Sequence, residues 1–228
     1  MQFGRNLTFG LLDTIGRDII VGQYEGQSFP TEAELAKKYG VSRSVTREAV
    51  KMLSAKGLLS ARPRQGTVVR PPSSWNLFDT DVLRWTLSRR FSVDLLRHFS
   101  ELRVAVEPQA AALAAEAADS EDLAQIDAGL ARMRAAESGM DDTLDADIEF
   151  HLAILSATKN PFYIQLGNVV STALRTSIRF TNRIKGRSAD VDEHAKVRDA
   201  IAARDPDQAS KAMRTIITGV LTLIETSD

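Results

Sequence analysis

Residues Thr31–Val69 read TEAELAKKYGVSRSVTREAVKMLSAKGLLSARPRQGTVV, and the order of caps, glycines and cations in this stretch decides the fold of the N-terminal part. Thr31 followed by Glu34 fits a capping box, in which each side chain satisfies an amide at the helix start that otherwise lacks a partner. This predicts a short helix from Glu32 to Tyr39. Gly40 suits a tight turn, and Ser42 a fresh N-cap, so a second helix should run from Arg43 to about Ala55, stopped by Gly57. At about 100° per residue, Val45, Ala49, Met52 and Leu53 gather on one side of that helix and Arg43, Arg47 and Lys51 on the other. One face packs and the other presents cations. Ser42, Ser44 and Thr46 lie between them and are small enough to bond phosphates and base edges.

Beyond Gly57, Leu58–Ala61 and Thr67–Val69 are short β-prone runs. Arg62-Pro63-Arg64-Gln65-Gly66 separates them and reads as a turn rich in cations. Helix, turn, cationic helix and two-stranded wing make a winged helix-turn-helix. Gly66 can bring backbone close to a sugar-phosphate rail, and Arg62 and Arg64 can reach phosphate or a narrow minor groove. Upstream, Leu11, Leu12, Ile15 and Ile19 recur at helical spacing and predict a supporting helix over residues 7–21.

The segment SFPTEAELAKKYGVSRSVTREAVKMLSAKGLLSARPRQGTVV resembles the winged helix-turn-helix of the GntR family of bacterial transcription regulators. The resemblance implies that Arg43 and Arg47 touch operator bases or phosphates and that Gly66 forms the wing tip. It also exposes a departure: many members carry Arg where this chain has Ala33, so the operator preference of Arg-bearing relatives does not transfer.

The 228 residues suffice for two modest domains. With no cysteine there is neither a disulfide nor a thiolate metal site. No apolar run approaches the roughly 18 residues of a membrane span, and no signal-peptide core is present. A cytoplasmic protein with no membrane partner is expected. Residues 1–72 hold 11 Lys+Arg against 6 Asp+Glu, and the remainder 18 against 24. A basic head on an acidic body fits a head that meets polyanionic DNA.

Arg70-Pro71-Pro72-Ser73-Ser74 breaks the composition, because Pro disfavours helix and pushes the preceding residue towards extended backbone. The predicted division is a DNA-binding domain over 1–70, a linker over 71–78 and a helical domain over 79–228. Asp79 or Thr80 can cap a short helix through Trp85. From Ser92 onward nearly everything reads as helix, punctuated at Asp119-Ser120, Ser138-Gly139, Asn160-Pro161, Lys185-Gly186 and Asp205-Pro206, giving about six helices and no strand pattern. The fold class is therefore mainly α: a winged head followed by an all-α bundle.

In the body, Asp147 and His151, four residues apart, fall on the same helical side as Leu144, Ile148, Ile154 and Leu155. A carboxylate and an imidazole thus point inward, and buried polar groups require partners: a metal, a ligand or a hydrogen-bond network. If Arg204–Asp207 turns the chain, position 216, an Ile, comes opposite His194. Only three histidines exist, and His98 reads as a satisfied core residue.

Glu101-Leu-Arg103 through Glu107-Pro108, Asp147-x-x-Phe150-His151, Asn160 and His194 together resemble the FCD effector domain of the FadR subfamily, over roughly residues 76–226. The resemblance implies a divalent metal held by Asp147, His151 and His194, with the fourth family ligand replaced by Ile216. Zn, Ni or Mn would then have three protein ligands, and water or effector oxygens must complete the coordination. It also implies that Arg103 faces the cavity. Arg175, on a helix over 167–183, is a second candidate to grip a carboxylate, the alternative being an internal salt bridge.

WNLFDTDVLRW resembles regulators of sugar-acid catabolism. The expectation is a homodimeric regulator, a repressor, that binds palindromic double-stranded operator DNA and leaves it when a small carboxylate, such as a hexonate, enters the body. The effector residues are then Arg103, Asp147, His151, Arg175 and His194. Two other readings are a metal-responsive regulator and a metal-dependent enzyme. Ile216 argues against the first, since a sensor should hold its ion unaided. The lack of an evident general base or oxyanion donor argues against the second.

Overall fold

The computed structural model describes residues 3–89, 93–185 and 190–226. The chain divides into two compact units, Met1–Phe91 and Ser92–Asp228.

The first unit contains α1 (Phe3–Ile20), α2 (Glu32–Tyr39), α3 (Arg43–Ala55), β1 (Leu59–Arg62), β2 (Gly66–Val69) and α4 (Thr80–Arg89). The capping box forms as read: Thr31 N–H donates to Glu34 Oε2 at 2.8 Å, and Glu34 N–H donates to Thr31 Oγ1 at 3.3 Å. Gly40 closes α2 at φ 64°, a left-handed position that costs a residue with a Cβ about 1–2 kcal/mol. Ser42 then caps α3 by accepting from Val45 N–H at 3.3 Å. Leu11, Leu12, Ile15 and Ile19 of α1 close a core with Leu35 and Leu53.

The packed stripe of α3 lies about one residue round from the predicted one. Thr46, Ala49, Val50 and Leu53 are buried, whereas Val45 and Met52 are only half-buried. Thr46 can go inward because its hydroxyl donates to the Ser42 carbonyl at 3.3 Å and leaves no unpaired group behind.

β1 and β2 pair antiparallel with Leu59 opposite Val69 and Arg62 opposite Gly66. Their turn holds Arg64 at φ 64° and Gly66 at φ 76°.

The composition break at Pro71–Pro72 does not coincide with the division between the units. Beyond it the chain is tied back to the head: Asn76 N–H donates to the Lys56 carbonyl at 3.1 Å, and Lys56 Nζ bridges Asp79 and Asp81 at 2.7 and 2.9 Å. Trp85 of α4 is 1% exposed and sits in the head core. The domain beginning predicted at residue 79 is corrected accordingly. The apolar ring of Trp85 places α4 with the head, and the second unit starts at Ser92.

That second unit holds α5 (Val93–Ala117), α6 (Ser120–Glu137), α7 (Thr143–Ala157), α8 (Pro161–Lys185), α9 (Val191–Ala202) and α10 (Pro206–Glu225). Six helices match the prediction, and Asp119, Asp142, Asp190 and Asp205 each cap a helix with a side-chain oxygen. Gly186, one of the predicted breaks, lies outside the described residues. The core runs through small residues on α5, Ala110, Ala111, Ala114 and Ala115, which allow close helix approach. Gly129 of α6 does the same against α7, where an added Cβ would stand 3.0 Å from Phe150 Cα.

Candidate functional site

On the head, the predicted contact residues Thr31, Ser42, Arg43, Ser44, Arg47, Lys51, Arg62, Arg64 and Gly66 are all exposed. Arg43, Arg47 and Lys51 follow one another at turn spacing along α3, with Glu48 beside Lys51 at 3.1 Å. Thr31 spends its hydroxyl in the cap, donating to Glu34 Oε2 at 2.8 Å; the Thr31 backbone N–H, and after it this hydroxyl, hold the Glu34 carboxyl below its ordinary range. Thr46 is the correction in this set. With no exposed surface it cannot reach a nucleic acid and serves as a core residue.

In the body, α5, α7 and α9 bring five buried side chains together: Arg103 and Glu107, Asp147 and His151, and His194. Helical spacing of four puts each pair on a single face of α5 or α7. Arg103 grips Glu107 with two contacts, Nε to Oε1 at 2.5 Å and Nη2 to Oε2 at 3.2 Å. Glu107 Oε2 in turn stands 2.7 Å from His151 Nδ1. That contact is close enough for pairing but off the line of a hydrogen bond. Across the ring, His151 Nε2 lies 3.4 Å and His194 Nε2 3.2 Å from Asp147 Oδ1. His194 Nδ1 is 2.6 Å from the Asp190 carbonyl. Phe150 packs edge-on to His194 at 5.2 Å, fixing that ring from the side.

Burial alone would raise both carboxyls. For Glu107 the Arg103 cation and the His151 ring outweigh it and bring the pKa to about 2; for Asp147 the two imidazoles hold it well below the carboxylate range. Burial would likewise lower His151, but the charge of Glu107 and the contact with Asp147 raise it to about 9.

The cluster suits a divalent cation. One atom each from Asp147, His151 and His194 lies within 4.8 Å of the others, all three residues buried. Asp147 Oδ1 and His194 Nε2 have no hydrogen-bond partner, a state that is costly inside a bundle. A carboxylate and two imidazoles are a donor set for Zn, Ni or Mn. Ile216, at the predicted fourth position, packs on the core.

Arg175 is not brought to this cluster. Its side chain is 52% exposed and pairs with Asp145 at 2.6 Å, the salt-bridge alternative. His98, expected in the core, is instead exposed beside Arg97. The sequence reading missed Ser100, which is fully buried with an unpartnered Oγ. The missed signal is its spacing of three and seven from Arg103 and Glu107, which puts all three on one stripe of α5.

A winged helix-turn-helix with a cationic recognition helix defines a DNA-binding transcription regulator. Residues 10–69 match the family model described as "Bacterial regulatory proteins, gntR family", and residues 98–219 match the FCD domain. The chain belongs to the GntR family and carries an FCD domain. It is 37% identical to the galactonate operon transcriptional repressor of Escherichia coli over 93% of this chain and 94% of that one. It is 27% identical to the transcriptional repressor NanR of Cronobacter sakazakii over 86% of this chain and 76% of that one. These relatives are transcription regulators, not enzymes. The solved structure of a Streptococcus agalactiae GntR protein shares the fold at a TM-score of 0.51 and 24% identity, covering 94% of this chain and 99% of the other. No helix among the described residues is long and apolar enough to cross a membrane.

Proposed function

We propose that the protein is a homodimeric repressor of a sugar-acid or related carboxylate operon, released from a palindromic operator when an anionic, oxygen-rich effector enters the helical domain. The observation that carries this reading is the buried convergence of Asp147, His151 and His194 within 4.8 Å, with buried Arg103 adjoining them at 3.5 Å from His151 Nε2. A cation held by three protein donors keeps coordination positions open for an effector's oxygens. Arg103 adds a planar fork matched to a carboxylate. When bound, the metal supplies a fixed positive charge on which oxygen ligands can be read; Asp147, His151 and His194 hold it, and Arg103 orients the anion. The galactonate repressor among the relatives supports a hexonate as the first candidate.

On DNA, Arg43, Arg47 and Lys51 with Ser42 and Ser44 serve the major groove, and Arg62, Arg64 and Gly66 the adjoining backbone or minor groove. Two heads related by a two-fold axis would read two half-sites. The effector acts by favouring one head arrangement over another, through different affinities for the two.

The experiment is thermal unfolding against a panel of aldonates, uronates and other small carboxylates, with and without Zn²⁺, Ni²⁺ or Mn²⁺, followed by release from a palindromic duplex selected in vitro. Saturation to about a hundredfold over Kd stabilises by roughly 2.7 kcal/mol. A carboxylate that both raises the unfolding temperature and weakens DNA binding supports the reading. A panel in which none does so overturns it, and a response to metal alone favours the metal-responsive alternative.

A further inference from the structure

We propose that Glu107 is a positioning residue of the metal site: from α5 it holds Nδ1 of His151 and so presents Nε2 of that ring to the cation. The inference rests on the metal reading above and assigns to this chain an outer partner that the ligand set does not include.

A neutral imidazole has one N–H and one lone pair, and an acceptor at one nitrogen leaves the other free for a metal. Both histidines are divided in this way. His194 has Nδ1 2.6 Å from the Asp190 carbonyl and Nε2 3.2 Å from Asp147 Oδ1. His151 has Nδ1 2.7 Å from Glu107 Oε2 and Nε2 3.4 Å from the same Asp147 oxygen. Both Nε2 atoms therefore face one carboxylate oxygen, and Asp147, His151 and His194 each offer one ligand atom within 4.8 Å of the others.

The two supports differ in kind. At His194 the acceptor is backbone at the start of α9, which no substitution removes. At His151 it is a side chain from another helix, 2% exposed and fixed by the two Arg103 contacts. The 2.7 Å between Nδ1 and Glu107 Oε2 is a hydrogen-bond distance, although the ring as placed does not aim an N–H along it. Because Oε2 meets the edge of the ring opposite Nε2, Glu107 is not itself a replacement for the fourth ligand missing at Ile216. Arg103 then has two tasks, since the guanidinium that faces an effector is also the group that aims Glu107.

The test is metal affinity of chelator-stripped protein by titration calorimetry with Zn²⁺, with Co²⁺ as a visible-absorption probe, on wild type, Glu107→Gln and Asp147→Asn. Loss of an outer-shell carboxylate weakens metal binding about 10- to 100-fold. The expected result is a loss in that range for Glu107→Gln with altered Co²⁺ bands, against abolition for Asp147→Asn. Operator binding of the stripped variant reports that it is folded. Wild-type affinity and an unchanged spectrum in Glu107→Gln overturn the inference while leaving the metal site standing. No metal uptake by wild type overturns the metal reading itself. Should Glu107→Gln not fold, nitrogen NMR of the Zn-loaded wild type decides the matter. A proton on Nδ1 of His151 supports the assignment, and a proton on Nε2 overturns it.

Discussion

Trp85 Nε1–H donates to Asp13 Oδ1 at 2.7 Å, joining α4 to α1 across 72 residues of sequence. The indole lies over Gly16, where an added Cβ would come within 2.5 Å of two ring carbons. Gly16→Ala should therefore push α4 away from the head and destabilise it by about 1–3 kcal/mol, the usual cost of overpacking. Denaturant unfolding followed by tryptophan fluorescence checks this, and unchanged stability would show that the Trp85 packing is loose.

The same pair explains why the domain division was not legible. Pro71 and Pro72 mark where strand β2 gives way, which is a local backbone rule, whereas the place where a unit ends depends on what a side chain buries. Nothing local to Trp85 says that its ring meets a glycine on α1. By contrast, α2 and α3 could be read to the residue, because Thr31, Glu34, Gly40 and Ser42 encode their ends through local hydrogen bonds and φ. The site divides the same way. Asp147 and His151 share a face by spacing alone, and His194 came from family likeness. That Arg175 turns outward to Asp145 was set by the rotation of α8, which an apolar pattern fixes only loosely.

Lys56 ties the start of α4 to the head through Asp79 and Asp81. Burial opposes the charges on Lys56 and Asp81, but the contacts with Asp79 and Asp81 raise the lysine above 10.5, and those with Lys56 and Arg84 lower Asp81 below 3.8. A lowered carboxyl stabilises above its unfolded pKa and loses that contribution as pH falls through the folded one. A raised lysine stabilises below its unfolded pKa and loses it as pH climbs through its folded one. Lys56→Met should thus lower the unfolding temperature at neutral pH and narrow the difference from wild type below about pH 4. A pH series of melting curves tests this; a deficit that persists in acid would place the role of Lys56 in packing.

Thr46 and Arg47 are neighbours on α3 with opposite fates, one fully buried and one exposed. Thr46→Val keeps the shape and loses one hydroxyl bond, so stability should fall by about 0.5–1.5 kcal/mol and operator affinity should hold. Arg47→Ala should leave stability alone and weaken operator binding. A phosphate contact would reduce the salt slope by about 1, and a base contact would cost about 1–3 kcal/mol with relaxed specificity. Fluorescence anisotropy at several salt concentrations separates the two residues, and loss of operator affinity in Thr46→Val with the fold intact would contradict the burial.

Arg103 and Arg175 make the sharpest comparison in the body. Arg103 is 3% exposed and stands 3.5 Å from His151 Nε2, whereas Arg175 is 52% exposed and paired to Asp145. A surface ion pair contributes about 0–1 kcal/mol, so Arg175→Ala should change neither stability nor the carboxylate-induced rise in unfolding temperature appreciably. Arg103→Ala leaves Glu107 buried without its cation, a change worth about 3–5 kcal/mol, and on the proposed function should also abolish the response to a carboxylate. Arg103→Lys keeps the charge but not the planar geometry, so it should recover part of the stability without restoring the response to a carboxylate. Melting curves of the three variants, with and without the effector, decide between the arginines. A response kept in Arg103→Lys but lost in Arg175→Ala would move the anion site from the buried cluster to the outer face of α8.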